Sequence, residues 1–178
     1  FSKEGYYPET VTVTVADGQR EDLTVYLYSG NMVSANQCFE TVESVSARSY
    51  VMGYLDGSTL VTPAHNNSST VTTDTVGVTP TDNGFTVREG TTLPQVTLLT
   101  AYGSNGQYYI SYNNRYLARS GNSLTWSNYQ SSSGRWYINK NGIYVAVSSG
   151  GWGGGTTTNY YLYYNNGSFA LSTTAHNN

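Results

Sequence analysis

The chain is poor in charge and in sulfur. Lys, Arg, Asp and Glu together make 11% of its 178 residues, and Cys38 is the single cysteine. One thiol excludes an intrachain disulfide, and a lone cysteine of this kind is expected as a small core residue. No run of eighteen apolar residues occurs, so no segment reads as a membrane-spanning helix, and a soluble chain without membrane insertion is expected. Acids are missing beyond Glu89. Residues 1–100 hold eleven acids and four bases, whereas residues 101–178 hold Arg115, Arg119, Arg135 and Lys140 and no acid. Four scattered bases do not make a phosphate-tracking surface, which argues against a nucleic-acid partner.

Catalytic and metal-binding signatures are missing too. There is no G-x-S-x-G elbow, no H-E-x-x-H pair and no dense aspartate spacing of a calcium loop. The two histidines, His65 and His176, sit in duplicated Ala-His-Asn-Asn segments. Duplication makes them equivalent rather than complementary, so a shared role in turns is the simpler account. A glycosidase needs two carboxylates across a sugar bond. Here Glu40, Glu43, Asp56, Asp74, Asp82 and Glu89 all precede the aromatic-rich half where a sugar would dock. The expectation is a non-enzymatic chain without cofactor or metal.

Gly, Thr, Ser and Asn supply 81 residues and tyrosine another 18. Solubility therefore rests on hydroxyls and amides. Disordered chains are poor in aromatic and β-branched residues, and this one is rich in Tyr, Val and Thr, so it reads as folded. Val11, Val13 and Val15 alternate with polar residues, Asp17-Gly18 turns, and Leu23, Val25 and Leu27 return, which is a β-hairpin. Residues 29–37 have no period and read as a linker or turn. From Phe39 onward short strands follow. Residues 50–67 and 160–178 align with each other, both ending in Ala-His-Asn-Asn, and residues 108–120 and 136–148 repeat the same design. In each, an aromatic or aliphatic run leads into an Asp-Gly, Asn-Asn or Asn-Gly type corner that suits hairpin twist. Further strands are expected around 70–78, 85–88, 95–100 and 124–129, and no helix.

The predicted fold is all-β: an antiparallel barrel or sandwich of repeated hairpins over residues 38–178, after an N-terminal hairpin over residues 1–30. A β-trefoil is the alternative, although Q-x-W signatures are missing and hairpin starts are spaced unevenly, by 58, 28 and 24 residues. Phe1-x-Lys3-x-Gly5-Tyr6-x-Pro8 with the hairpin after it resembles the closing strands of carboxypeptidase-regulatory-like (transthyretin-like) β-sandwich domains of bacterial surface proteins. That resemblance covers residues 1–29 and implies a truncated immunoglobulin-like sandwich or strands that pair elsewhere. The chain also opens inside this strand pattern with no leader at Phe1, as expected of a mature or excised piece. Tyr116-Leu117, Asn122-Ser123-Leu124, Trp136-Tyr137-Ile138 and Tyr161-Leu162-Tyr163-Tyr164-Asn165 resemble Tyr/Asn-rich β-modules in surface and secreted proteins of gut bacteria. That second resemblance implies an extracellular or cell-surface location and no known activity.

Lectin-like sites join an aromatic ring to amide and hydroxyl partners, and residues 101–178 hold twelve of the tyrosines and all three tryptophans. Strand alternation sets Tyr161 and Tyr163 against Tyr160, Leu162 and Tyr164, so one of the two sets packs inward. Trp126 and Trp136 lie in strand patterns and are expected in the core. Trp152 lies among glycines in SSGGWGGGTTT, where it is a plug over a barrel end, a ring free for a partner, or a spacer residue. With Tyr129, Arg135 and the Asn113-Asn114 turn it forms the candidate ligand-binding set. The functional expectation is adhesion or glycan binding, with a glycan or a host cell-surface protein as partner. The other reading is a stalk or fimbrial-type subunit that self-associates through its N-terminal strands. Asn66, Asn67 and Asn166 meet the N-x-S/T pattern.

Overall fold

In the computed structural model of the chain, residues 36–42, 44–103, 106–150 and 155–175 are described. The expected hairpin over residues 1–30, Trp152 and His176 lie outside them. Fifteen strands follow in order: β1 (Gln37–Glu40), β2 (Ser49–Tyr50), β3 (Tyr54–Asp56), β4 (Thr59–Ala64), β5 (Thr72–Gly77), β6 (Thr79–Thr81), β7 (Gly84–Val87), β8 (Val96–Thr100), β9 (Gln107–Tyr112), β10 (Arg115–Ser120), β11 (Ser123–Ser127), β12 (Trp136–Asn139), β13 (Gly142–Ser149), β14 (Thr156–Asn165) and β15 (Ser168–Ser172). Among the described residues the only helical element is one 3-10 turn, Ser132–Gly134.

The four repeated units are hairpins: β3–β4, β9–β10, β12–β13 and β14–β15. Their corners carry the backbone that a right-handed strand twist requires. Asn113 and Asn114 both have positive φ (46° and 61°), as do Asn166 and Gly167 (45° and 90°). The β12–β13 hairpin turns differently. Asn139 Oδ1 accepts the Asn141 N–H at 2.9 Å, and Gly142 takes a φ of 111° to re-enter the ladder.

All strand pairs are antiparallel, in sheets of three, nine and three strands. The small sheets are β1-β7-β6 and β3-β4-β5, and the large one runs β11-β10-β9-β12-β13-β14-β15 with β8 beside β9 and β2 beside β8. The large sheet bends so that its end strands, β11 and β15, approach within 8 Å, but no ladder joins them and no closed barrel forms among the described residues. Its inner face holds one core of Val96, Leu98, Ile110, Leu117, Trp126, Trp136 and Val145. A second core of Leu60, Val78, Val87 and Leu93 lies under the small sheets, with Phe39 and Phe85 packed on it.

The bend originates at β9, whose one edge serves two neighbours. Ser111 and Tyr112 pair with β10, whereas Gln107 and Tyr108 pair with β12. Where β10 leaves β9, Trp136 fills the gap, and its indole N–H donates to the Leu117 carbonyl at 2.7 Å. Gly134 passes so close that a Cβ there would lie 3.1 Å from the same oxygen. Trp126 makes the matching bond across the sheet edge, from its Nε1 to the Ala64 carbonyl at 2.8 Å. Its backbone N–H meets the Ser69 carbonyl, also at 2.8 Å, which ties β11 to the chain after β4. Both tryptophans are buried as expected, at 1% and 0% exposure.

Cys38 corrects an expectation, because it is exposed. In β1 it alternates with Phe39, and it is Phe39 that turns inward to stack on Phe85 of β7. On β14 the inward set is Tyr160, Leu162 and Tyr164: Leu162 joins the main core and Tyr164 stacks on Tyr54.

Two substitutions test this account. Trp136→Phe keeps an aromatic ring but leaves the Leu117 carbonyl unpaired in the core, and urea unfolding is expected to show a loss of about 1–3 kcal/mol. Gly84→Ala would drive a Cβ into the Phe39 carbonyl, so hydrogen exchange should show β1 amides losing protection while those of β9 keep theirs.

Candidate functional site

Alternation sends every second residue of β12, β13 and β14 away from the core. In the ladder register, Tyr137 faces Tyr144 and Tyr144 faces Tyr161. The ring centroids lie 5.1 Å apart in both pairs, with planes inclined by 20° and 43°. The faces of these half-buried rings are therefore spent on each other, and the ladder turns edges and hydroxyls to solvent. Asn159 beside it donates from Nδ2 to the Tyr161 hydroxyl at 3.3 Å. Gln107 and Ser172 continue the row at its two ends.

Arg135 belongs to the same face, one residue before the inward Trp136. Its Nε donates to the Tyr109 hydroxyl at 3.1 Å, and Tyr109 meets Tyr116 edge to face at 6.2 Å. The connection from β11 to β12 crosses over these rings: a Cβ at Gly134 would lie 3.8 Å from Tyr109. That connection carries Tyr129, 71% exposed. The Ser127 hydroxyl holds it by donating to the Tyr129 carbonyl at 2.8 Å and accepting the Tyr129 N–H at 3.2 Å. Of the expected set, Arg135 and Tyr129 thus serve the same outer face.

Asn113 and Asn114 sit elsewhere. Their corner begins four residues beyond Tyr109, about 13 Å along the strand, and it docks on the chain after β4. Arg115 donates from Nη2 to the Asn67 carbonyl at 2.7 Å. His65 fixes the same junction. Its Nδ1 accepts the Asn67 N–H at 3.3 Å, so Nε2 carries the proton and donates to the Tyr112 carbonyl at 3.1 Å. The imidazole meets Tyr112 and Trp126 edge-on at 5.5 and 5.3 Å. His65 thus holds a turn, and its ring also packs, which the repeat did not indicate.

The glycine-rich segment of Trp152 joins β13 to β14 where Ser149 pairs with Thr156. This end of β13 lies seven residues, about 23 Å of strand, from Gly142.

At the Gly142 end a cleft of about 800 Å³ opens between the inner face of the large sheet and the small β1-β7-β6 sheet. Leu98, Ile138 and Ile143 form one wall and Phe39 and Phe85 the other, with Tyr50 and Tyr54 between them. Glu40, Asp82, Asn83 and Asn139 stand on its rim, all exposed. The Tyr50 hydroxyl accepts the Ser46 N–H and the Arg48 Nε–H, each at 2.9 Å. The Ser46 N–H above all, with the Arg48 guanidinium adding, holds this phenol below the ordinary tyrosine range. Nothing in the sequence placed these residues together, because Phe39 lies 99 positions before Ile138 on the opposite wall. Among the described residues no three His, Cys, Asp or Glu side chains group as a metal site.

Comparison of the chain with protein-family models, with curated proteins and with solved structures finds no match.

Tyr112 supplies a pH test. Burial, reinforced by the Asp74 carboxylate, pushes its phenol above the ordinary value. On raising the pH the unfolded chain releases this proton first, so this group withdraws stability from about pH 10 upward and is neutral below it. Urea unfolding across the alkaline range should show a shallower decline in Asp74→Asn than in the parent. The decline persists in part, because burial is the larger cause.

Proposed function

We propose that the chain is a non-catalytic extracellular module for adhesion or glycan binding, of the kind displayed on bacterial surfaces. The observation that carries this reading is the outer face of the large sheet: the Tyr137–Tyr144–Tyr161 ladder, the Arg135–Tyr109 pair and the exposed Tyr129. Tyrosine with Ser, Asn, Gly and a few Arg is the composition of binding surfaces that have no catalytic task. The ring gives rigid contact area with two rotatable bonds, and small polar residues give adaptable hydrogen bonds. Stacking already restricts the ladder rings, so little side-chain entropy remains to be lost on contact. The acid-free half that builds this face carries only Arg and Lys as charged side chains, so it sets up no repulsion toward neutral or acidic glycans. Trp152, on the connection after β13, is the further candidate contact.

One feature supports a second reading, a structural subunit assembled by strand addition. In the β1-β7-β6 sheet the β6 edge carries Pro80, which lacks an N–H, whereas β1 has no described partner on its outer side. An incoming strand from another chain would extend that edge.

A glycan array and cell-surface binding, run on the intact chain beside Tyr129→Ala, Tyr144→Ser and Trp152→Ala, test the first reading. Binding is expected to weaken about tenfold or more in at least one variant, the scale of an aromatic hot spot. Light scattering should show a monomer. Concentration-dependent oligomers with no glycan or cell binding give the structural reading instead.

A further inference from the structure

We propose that the cleft between the β1–β7 pair and the β12–β13 hairpin is a binding site for a neutral saccharide. It lies on the other side of the large sheet from the tyrosine ladder, since Ile138 and Ile143 face inward where Tyr137 and Tyr144 face outward. The inference therefore does not depend on what the outer face binds.

The volume, about 800 Å³, falls within the range of small-ligand sites, about 300–1,000 Å³. The walls are apolar and partly aromatic, as the C–H face of a pyranose requires. The rim offers hydrogen bonding in both directions. Both lone pairs of the Tyr50 hydroxyl are engaged, by Ser46 and Arg48, which leaves its own O–H as a donor. Asn139 spends its carbonyl oxygen on Asn141 and keeps its NH₂. The carboxylates of Glu40 and Asp82 are pure acceptors, able to take two hydroxyl protons each. Donors and acceptors together on an apolar floor suit a polyol.

Charge selects among sugars. No Lys or Arg lines the cleft among the described residues, and two carboxylates stand at its mouth. Arg48, behind the Tyr50 hydroxyl, is one cation against these two carboxylates, so the mouth stays net negative and a uronic, sialic or sulfated sugar would meet repulsion there. An ammonium ligand fits less well than a neutral one. Phe39 and Phe85 stack face to face at 5.3 Å and 14°, and Tyr54 stacks on Tyr164 at 4.6 Å, so these rings cannot converge several free faces into a cation cage.

The experiment is an amide-resolved NMR titration of the full chain with a panel of neutral methyl glycosides: hexoses, 6-deoxyhexoses and N-acetylhexosamines. Glucuronate and spermidine are the charged counterparts. The expected result is a saturable shift of the Asn83, Gly84 and Asn139 amides with a neutral glycoside at millimolar concentration, and none with glucuronate. Asp82→Ala and Glu40→Gln, both exposed rim substitutions, should each weaken that binding about tenfold with the unfolding midpoint unchanged. The proposal is overturned if these amides respond to no neutral glycoside, if spermidine saturates them and sugars do not, or if they shift only with chain concentration. The last outcome would assign the cleft to a second copy of the chain.

Discussion

The indole of Trp136 occupies the point at which β10 and β12 part company along one edge of β9. A backbone carbonyl left facing that gap would be buried without water, a loss of about 1–3 kcal/mol. The Trp136 N–H supplies the missing partner while the ring fills the volume that the divergent strands leave. The forked edge is what bends nine strands into a trough. From that bend follow the inner core, the approach of β11 toward β15, and the cleft under the small sheets. Trp126 does the same at the margin, where its N–H holds the Ala64 carbonyl of the neighbouring sheet. One indole donor thus closes the fork within the large sheet, and the other joins two sheets that share no ladder.

Local structure was largely legible in the residues. Period-two alternation and paired Asn or Gly corners located the four hairpins and the strands at β5, β7, β8 and β11, since these depend on neighbours a few positions away. The inward turn of Trp126 and Trp136 was legible for the same reason. Cys38 turned outward because burial of a strand residue depends on which face its sheet covers, and a partner strand 48 positions later decides that (Thr86 beside Cys38). The split of β9 left no mark at all: Gln107 and Tyr112 look alike in a strand pattern, yet one faces β12 and the other β10.

The candidate residues divide along the same line. Arg135 and Tyr129 both lie on the β11–β12 connection, whereas the Asn113-Asn114 corner, polar and exposed, serves the junction with His65 and Asn67. Segregation of acids into the first hundred residues separates carboxylates from most rings along the sequence. The fold reverses that separation by carrying Glu40 and Asp82 across to the β12–β13 corner. A sequence-level census of charge by halves therefore described the outer face well and the cleft badly.

The two indole bonds also differ in the length of chain each closes. Trp136 and Leu117 are 19 residues apart, Trp126 and Ala64 are 62. Loop-closure entropy grows with that separation, so local pairings become favourable before distant ones. Apart from β2, which reaches β8 from ahead of the small sheets, the forked sheet can assemble hairpin by hairpin from its own segment of chain. The β3-β4-β5 sheet then docks as a late, separable step. A nascent chain emerging from its N-terminal end would expose Ala64 well before its tryptophan partner exists, and that interval is when the outer edges of β3 and β5 are open to wrong neighbours.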